Sequence, residues 1–241
     1  MAHMISPDVL ATLRRFDTPT ICNVIELFEV RPRTAGYMDA RIRACYPQLP
    51  PMVGFASTAT FRAAAPPPGG SEYGGMDDQI AGFAELDGPA VVVFQDLDDP
   101  SVAATFGEVM CTSYQAFGAT GLITSGTGRD LEQVGELDFP VFTNGAICSH
   151  GYVYFPQLQV PVRVGGIMVQ PNDLLHGDAN GVTTIPKEIA GEIADICDDF
   201  VAAEMIVIEA MRSGSPTLKA FNEARAESHH QIAELAKRVR K

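Results

Sequence analysis

The chain has 241 residues, 46% of them hydrophobic and 20% charged, an ordinary globular composition and enough length to bury a core without disulfide support. A net charge of −13 repels nucleic acid and anionic membranes, so neither is expected as a broad-surface partner, although one arginine beside a metal can still receive a small anion. No apolar run approaches the roughly 18 residues of a spanning helix, no basic n-region with an apolar h-region opens the chain, and five scattered cysteines without CxxC spacing fit reduced thiols in the cytoplasm.

Met1 to Met4 reads as a tag remnant and stays outside the fold reading. Residues 6–30 have a helical period, with Ser6 as N-cap, Pro7 at the first helical position, and an interruption at Thr18-Pro19-Thr20. Arg31 to Pro51 reads as loop, Phe55 to Arg62 as strand, and Ala63 to Gly75, with its Pro-Pro-Pro-Gly-Gly run, as a long surface loop. A short helix over 77–86 and a buried valine strand from Pro89 to Phe94 follow, then an acidic loop from Asp96 to Pro100. Val102 to Phe117 reads as a helix ended by Gly118. Short strands are expected at Gly121–Thr124, Pro140–Thr143, Val160–Val164, Ile167–Val169, Asp173–His176 and Val182–Ile185. Lys187 to Arg212 is helical up to Ser213-Gly214, and Thr217 to Arg240 forms a polar last helix with basic residues in its final turn. This order predicts an α/β fold with a central layered or barrel-like sheet flanked by helices. Residues 5–213 are read as one domain and 214–241 as a C-terminal helical extension.

Chemistry concentrates between Phe106-Gly107-Glu108 and Gly126-Thr127-Gly128-Arg129-Asp130. Gly107 is close to a helix start, where unpaired N–H groups receive carboxylates or phosphates. Arg129-Asp130 emerges from a glycine-flanked turn after the Gly121–Thr124 strand, and ligands in α/β sheets bind outside such strand ends. Arginine there can pair with a carboxylate or enolate oxygen, and aspartate can bind a hard cation. Taken singly, each pair also fits a bland role: Arg-Asp as a surface ion pair, Gly-Glu as an ordinary helix entry.

Taken together, Glu108, twenty intervening residues and then Arg129-Asp130 resemble the signature of the metal-dependent pyruvate aldolases related to 4-hydroxy-4-methyl-2-oxoglutarate aldolase, a group that includes the RraA-like regulators of ribonuclease E. The resemblance covers roughly residues 15–215. It extends over the Val53–Thr60 strand, Asp138-Phe139-Pro140-Val141-Phe142, Pro161–Gly166, Pro171-Asn172-Asp173-Leu174, and Asp178–Val182 followed by Ile185-Pro186. It implies a swivelling β/β/α-type fold with Asp130 as the one direct protein ligand of Mg2+ or Mn2+. Glu108 would then order water around the metal, and Arg129 would contact the 2-oxo oxygen. Main-chain N–H groups of Gly107, Glu108, Val109 and Met110 would take the substrate carboxylate. A glutamate from a neighbouring subunit, matched by Glu204 (or else Glu209), would complete the site in a homotrimer or homohexamer. The implied activity is cleavage of a 4-hydroxy-2-oxo acid to pyruvate and a carbonyl product, or oxaloacetate decarboxylation, with a metal-bound water able to take the 4-hydroxyl proton. No nucleic acid or membrane partner is implied.

The sequence departs from the family pattern at Ser125-Gly126, Asn23 and Asn172, and throughout 144–156, which carries Cys148, Ser149, His150, Tyr152 and Tyr154. These differences bear on the substrate rather than on the metal core. His150 reads as a structural or surface histidine, or else as an acid or base meeting the substrate. Two other functions remain open: a non-catalytic chain that binds a ribonuclease, and a hydratase or isomerase using the same enolate chemistry.

Overall fold

A computed structural model describes residues 5–69, 74–214 and 216–240; Met1–Met4, read above as a tag remnant, and residues 70–73 of the expected 63–75 loop lie outside them. Helix α1 (Pro7–Leu13) starts as expected, the Ser6 hydroxyl accepting the Val9 N–H at 3.3 Å. The interruption expected at Thr18-Pro19-Thr20 falls earlier, at residues 14–17, and those three residues form the first turn of the next helix. Asp17 caps a second helix, α2 (Thr18–Leu27), by accepting the Thr20 N–H at 2.8 Å, and Pro19 sits in the first turn, where a missing N–H costs nothing.

Between Arg31 and Pro51 the chain is irregular except for β1 (Arg43–Ala44). Strand β2 (Met52–Phe61) is buried along its whole length. Helix α3 (Met76–Ala81) continues as a 3-10 turn to Glu85, and β3 follows (Ala90–Asp96). The helix expected over Val102–Phe117 is a helix only in its second half: Ala104–Phe106 forms β4, and α4 begins at Glu108 and ends at Ala116. The reason is tertiary. Ala104 and Phe106 pair in parallel with β6 (Thr127–Gly128), and the non-local ladder overrides the local period.

The remaining elements are β5 (Gly121–Thr124), α5 (Leu131–Gly135), β7 (Val141–Thr143), β8 (Val162–Val164), β9 (Ile167–Val169), β10 (Leu174–Asp178), β11 (Gly181–Ile185), α6 (Ala190–Arg212) and α7 (Leu218–Val239).

Seven strands form one mixed sheet in the order β1-β7-β5-β3-β2-β10-β11, with β7, β5, β3 and β2 mutually parallel and the outer pairings antiparallel. The fold is the expected α/β domain, its sheet curved toward a barrel and flanked by helices. Alternation along β3 explains its unbroken apolar run. Val91 and Val93 point inward, against Val162 and Val164 of the β8–β9 hairpin. Val92 and Phe94 point outward, into a cluster with Tyr114 of α4 and Phe139. Helices α1, α2, α6 and α7 cover the other arc, over β2, β10 and β11, around Leu13, Ile21, Val24 and Phe200. Helix α7 packs back along α6, with Leu235 in that core and Arg238 paired to Asp199 at 2.9 Å.

A wholly buried histidine ties this arc together. His176 Nε2 lies 3.1 Å from the Leu13 carbonyl, which can only accept, so Nε2 carries the hydrogen and Nδ1 accepts from the Thr18 hydroxyl at 2.9 Å. Asp178 accepts the Thr18 N–H at 2.9 Å beside it. Burial holds the His176 pKa below its ordinary value of 6.5. The unfolded chain therefore binds a proton at a higher pH than the folded chain does. Stability from this site is complete above pH 6.5 and is lost as pH falls toward the folded value. Urea unfolding at pH 8 and pH 5 should show wild type losing more stability than His176→Gln over that interval; an equal loss in both would remove His176 from the acid response.

Candidate functional site

The β4–β6 pair brings the two halves of the motif together. Thr105 Oγ1 donates to the Thr127 carbonyl at 2.9 Å, Thr127 Oγ1 donates to the Ala103 carbonyl at 3.0 Å, and the Arg129 N–H donates to the Phe106 carbonyl at 3.1 Å. Gly128 is required for this approach, because a side chain there would run into the buried Phe106 ring. Gly107-Glu108 and Arg129-Asp130 end up as neighbours.

Asp130 adopts φ +54°, a left-handed conformation that aspartate tolerates better than most residues. Its Oδ2 accepts the Glu108 N–H at 3.1 Å and lies 3.6 Å from Arg129 Nε. The carboxylate thus sits on the positive end of α4. Gly107 is extended (φ −157°), a conformation open to any residue. What it supplies is space: a Cβ there would lie 2.6 Å from Asp130 Oδ2 and 3.1 Å from Arg129 Nε. The first intrahelical bond of α4 runs from Cys111 N to the Gly107 carbonyl, so the N–H groups of Val109 and Met110 have no acceptor within the helix. Of the four amides expected to take a carboxylate, the Glu108 N–H is already held by Asp130.

Arg129, Gly107, Val109 and Met110 line a cavity of about 280 Å³, together with Phe106 and His150 among others. The 144–156 segment runs along the Arg-Asp turn: Gly128 donates to the Gly145 carbonyl, Ile147 to the Gly128 carbonyl, both at 3.0 Å, and Ala104 to the Ser149 carbonyl at 2.7 Å. It thereby delivers half-buried His150 into the same cavity as Arg129, an association that no local pattern in the sequence announces; the one signal is the departure of this segment from the family form.

Glu204 lies on α6, in the helical layer over the β2–β10–β11 arc, away from α4. It faces Asn23 Nδ2 at 3.5 Å, and burial, reinforced by the charge of Asp17, raises its pKa. Among the described residues no three His, Cys, Asp or Glu side chains cluster as a metal cage. The donor set instead fits a cation that keeps most of its water: Asp130, about one-third exposed, has an Oδ1 without a hydrogen bond among the described residues, and exposed Glu108 begins the adjoining helix.

Residues 18–184 match the RraA-like family (Aldolase/RraA). The chain belongs to the RraA-like family. One relative, a protein from Halalkalibacterium halodurans provisionally named 4-hydroxy-4-methyl-2-oxoglutarate aldolase, is 32% identical over 100 residues, which are 41% of this chain and 48% of the relative. An uncharacterized protein of Methanocaldococcus jannaschii is 28% identical over 49% of this chain and 58% of its own length, so the matches span about half of these curated relatives. Among solved structures, an uncharacterized Pseudomonas syringae protein superposes with a TM-score of 0.72 over 94% of this chain and 96% of its own, at 22% identity. Streptomyces coelicolor RraAS2, described as an unusual member of the RNase ES inhibitor RraA protein family, gives 0.67 over 84% and 96%, at 21% identity. At these identities the structural likeness shows the RraA-like fold.

The two glycines should respond differently to a methyl group. Gly128→Ala meets a buried ring that cannot move and should lose about 1–3 kcal/mol, the usual cost of overpacking. Gly107→Ala meets a partly exposed carboxylate that can swing aside, and should lose less. Urea unfolding of both variants tests this; a larger loss for Gly107→Ala would contradict the packing at Phe106.

Proposed function

We propose that this RraA-like chain is a divalent-metal-dependent lyase that cleaves a 4-hydroxy-2-oxo acid to pyruvate and a carbonyl compound, and that also decarboxylates oxaloacetate. One observation carries the reading: Arg129 and Asp130 meet at the start of α4, beside two amides with no acceptor among the described residues, and Arg129 lines a cavity there. The provisional aldolase name of a relative supports it.

Both reactions leave a carbanion next to a ketone, and both become accessible only if that charge is spread into an enolate. The amides of Val109 and Met110 hold the substrate carboxylate where the helix dipole favours it. From there the 2-oxo oxygen reaches Arg129, whose planar, permanently charged fork faces the growing negative charge. Asp130, with Glu108 ordering water beside it, would hold Mg2+ or Mn2+, and the bound cation would supply Lewis-acid stabilisation of the same oxygen. No lysine is among the described residues lining the cavity, so a Schiff base has no amine to form on.

Coupled detection of pyruvate across a panel of 4-hydroxy-2-oxo acids and oxaloacetate tests the reading. Activity should vanish with chelator and return with Mg2+ or Mn2+. Asp130→Asn keeps a side chain suited to φ +54° but should lose metal affinity and turnover together. Arg129→Lys should leave metal affinity nearly unchanged and lower the rate by about 10²–10³-fold, the usual cost of one preorganised donor. Calorimetry with Mn2+ separates the two effects. An active wild type with no loss in either variant would remove this pair from the mechanism, and no activity on any 2-oxo acid, with tight binding to a ribonuclease, would favour the regulatory role.

Glu204 is assigned here to the site of a neighbouring subunit in a homotrimer or homohexamer, since its own chain holds it away from Arg129. Co-expressed Asp130→Asn and Glu204→Gln subunits should then recover activity that neither variant has alone. Light scattering that finds only a 25.8 kDa particle at assay concentration would exclude a shared site.

A further inference from the structure

The cavity beside Arg129 has the lining of a site for an acid with one charged end. Met76 at the start of α3, Phe106 on β4, Val109 and Met110 in the first turn of α4, and Val153 supply its apolar surface. Phe106, Met110 and Val153 are each at most 5% exposed, so this surface is set into the protein. Val109, 77% exposed, carries it out to solvent beside the helix-start amides. Among the described lining residues the polar side chains are Arg129 and His150, and of these only Arg129 is permanently charged.

That one charge is already shared, because Asp130 Oδ2 lies 3.6 Å from Arg129 Nε. On the lyase reading, on which this inference rests, the substrate's C1 carboxylate takes the Val109 and Met110 amides and its 2-oxo oxygen faces Arg129. C4 and its substituent then lie in the rest of the same cavity. A second carboxylate on C4 would be stripped of water among Met76, Phe106, Met110 and Val153. Arg62, whose backbone is bonded to Tyr154 next to Val153, cannot compensate it: its guanidinium faces Asp98 Oδ1 at 3.8 Å. An unpaired buried carboxylate is costly, whereas an alkyl or aryl group of the same shape gains from leaving water.

We infer that the group on C4 is apolar: the substrate is a 4-hydroxy-2-oxo acid with an alkyl or aryl substituent. The product released beside pyruvate is then an uncharged aliphatic or aromatic aldehyde or ketone. Cleavage itself balances as before. The C3–C4 electron pair stays on C3, the C4 hydroxyl proton is lost to water, one proton returns to C3, and C4 leaves as a carbonyl.

The metal-loaded protein should be assayed on 4-hydroxy-5-methyl-2-oxohexanoate and 4-hydroxy-2-oxoglutarate, which match in shape but end in an isopropyl group and a carboxylate. kcat/KM should favour the isopropyl acid about 10²–10³-fold, the usual penalty of a buried charge left without a partner. Calorimetry with Mn2+ should give the same order of binding for 5-methyl-2-oxohexanoate over 2-oxoglutarate, which lack the hydroxyl and cannot be cleaved. Met76→Lys puts a cation at the half-buried start of α3 and should narrow both ratios about 10-fold, while Met76→Leu should keep them. Equal or better use of the dicarboxylates by wild type, with pyruvate released, would overturn the inference and leave the lyase reading standing. A folded Met76→Lys with wild-type ratios would overturn the placing of the C4 group in this cavity. No turnover of any 2-oxo acid would overturn the lyase reading; preferential binding of 5-methyl-2-oxohexanoate would then still support an apolar ligand, and no preference would overturn that too.

Discussion

The hydrogen bond from the Glu108 N–H to Asp130 Oδ2, made across a residue with no side chain, is the contact around which the site is organised. It joins the start of a helix to the end of a turn, and it exists because β4 and β6 run parallel. A parallel pair cannot be closed by a tight turn and needs a crossover of a dozen or more residues. Here the crossover is α4 followed by β5, which accounts for the twenty residues between Glu108 and Arg129. The spacing of the motif is thus the length of one helix out and one strand back. Gly107 and Gly128 are where the two segments come closest, to the Asp130 carboxylate and to the Phe106 ring respectively.

On the proposed reading, this construction would let a chain of net charge −13 receive an anion without a basic surface. Two amides at a helix start, without an acceptor among the described residues, and one arginine make a small, directed positive field. The same economy would apply to the proposed metal. One carboxylate with a spare oxygen is a poor cage but suits a cation that surrenders its water reluctantly.

The barrel-like sheet divides the work between its arcs. The β3–β5–β7 side carries the Arg-Asp turn, α4 and the loop that brings in His150. The β2–β10–β11 side carries α1, α2, α6 and α7, stitched at their base by His176, Thr18 and Asp178, and it holds Glu204. If Glu204 takes part in the proposed site, it would do so from a second copy, because its own chain keeps it on one arc and Arg129 on another. The 144–156 segment is different in kind: it is hydrogen-bonded along the Arg-Asp turn and β4 without belonging to either arc's strands.

The amino-acid sequence by itself determined the elements whose causes are local. The Ser6-Pro7 helix start, the short strands at Gly121–Thr124 and Ile167–Val169, and the two closing helices follow from caps, alternation and period over a dozen residues or fewer. It also exposed the motif, because its residue types and spacing survive in one dimension. Only the tertiary structure decided the rest. Val102 to Phe106 has the apolar content of a helix, and it becomes partly strand because its partner, Thr127–Gly128, arrives some twenty residues later. Neither the use of the Glu108 N–H by Asp130 nor the placing of His150 in one cavity with Arg129 has a local signature. Both depend on segments that meet through the parallel ladder, and a ladder between distant residues leaves no periodicity in either of them.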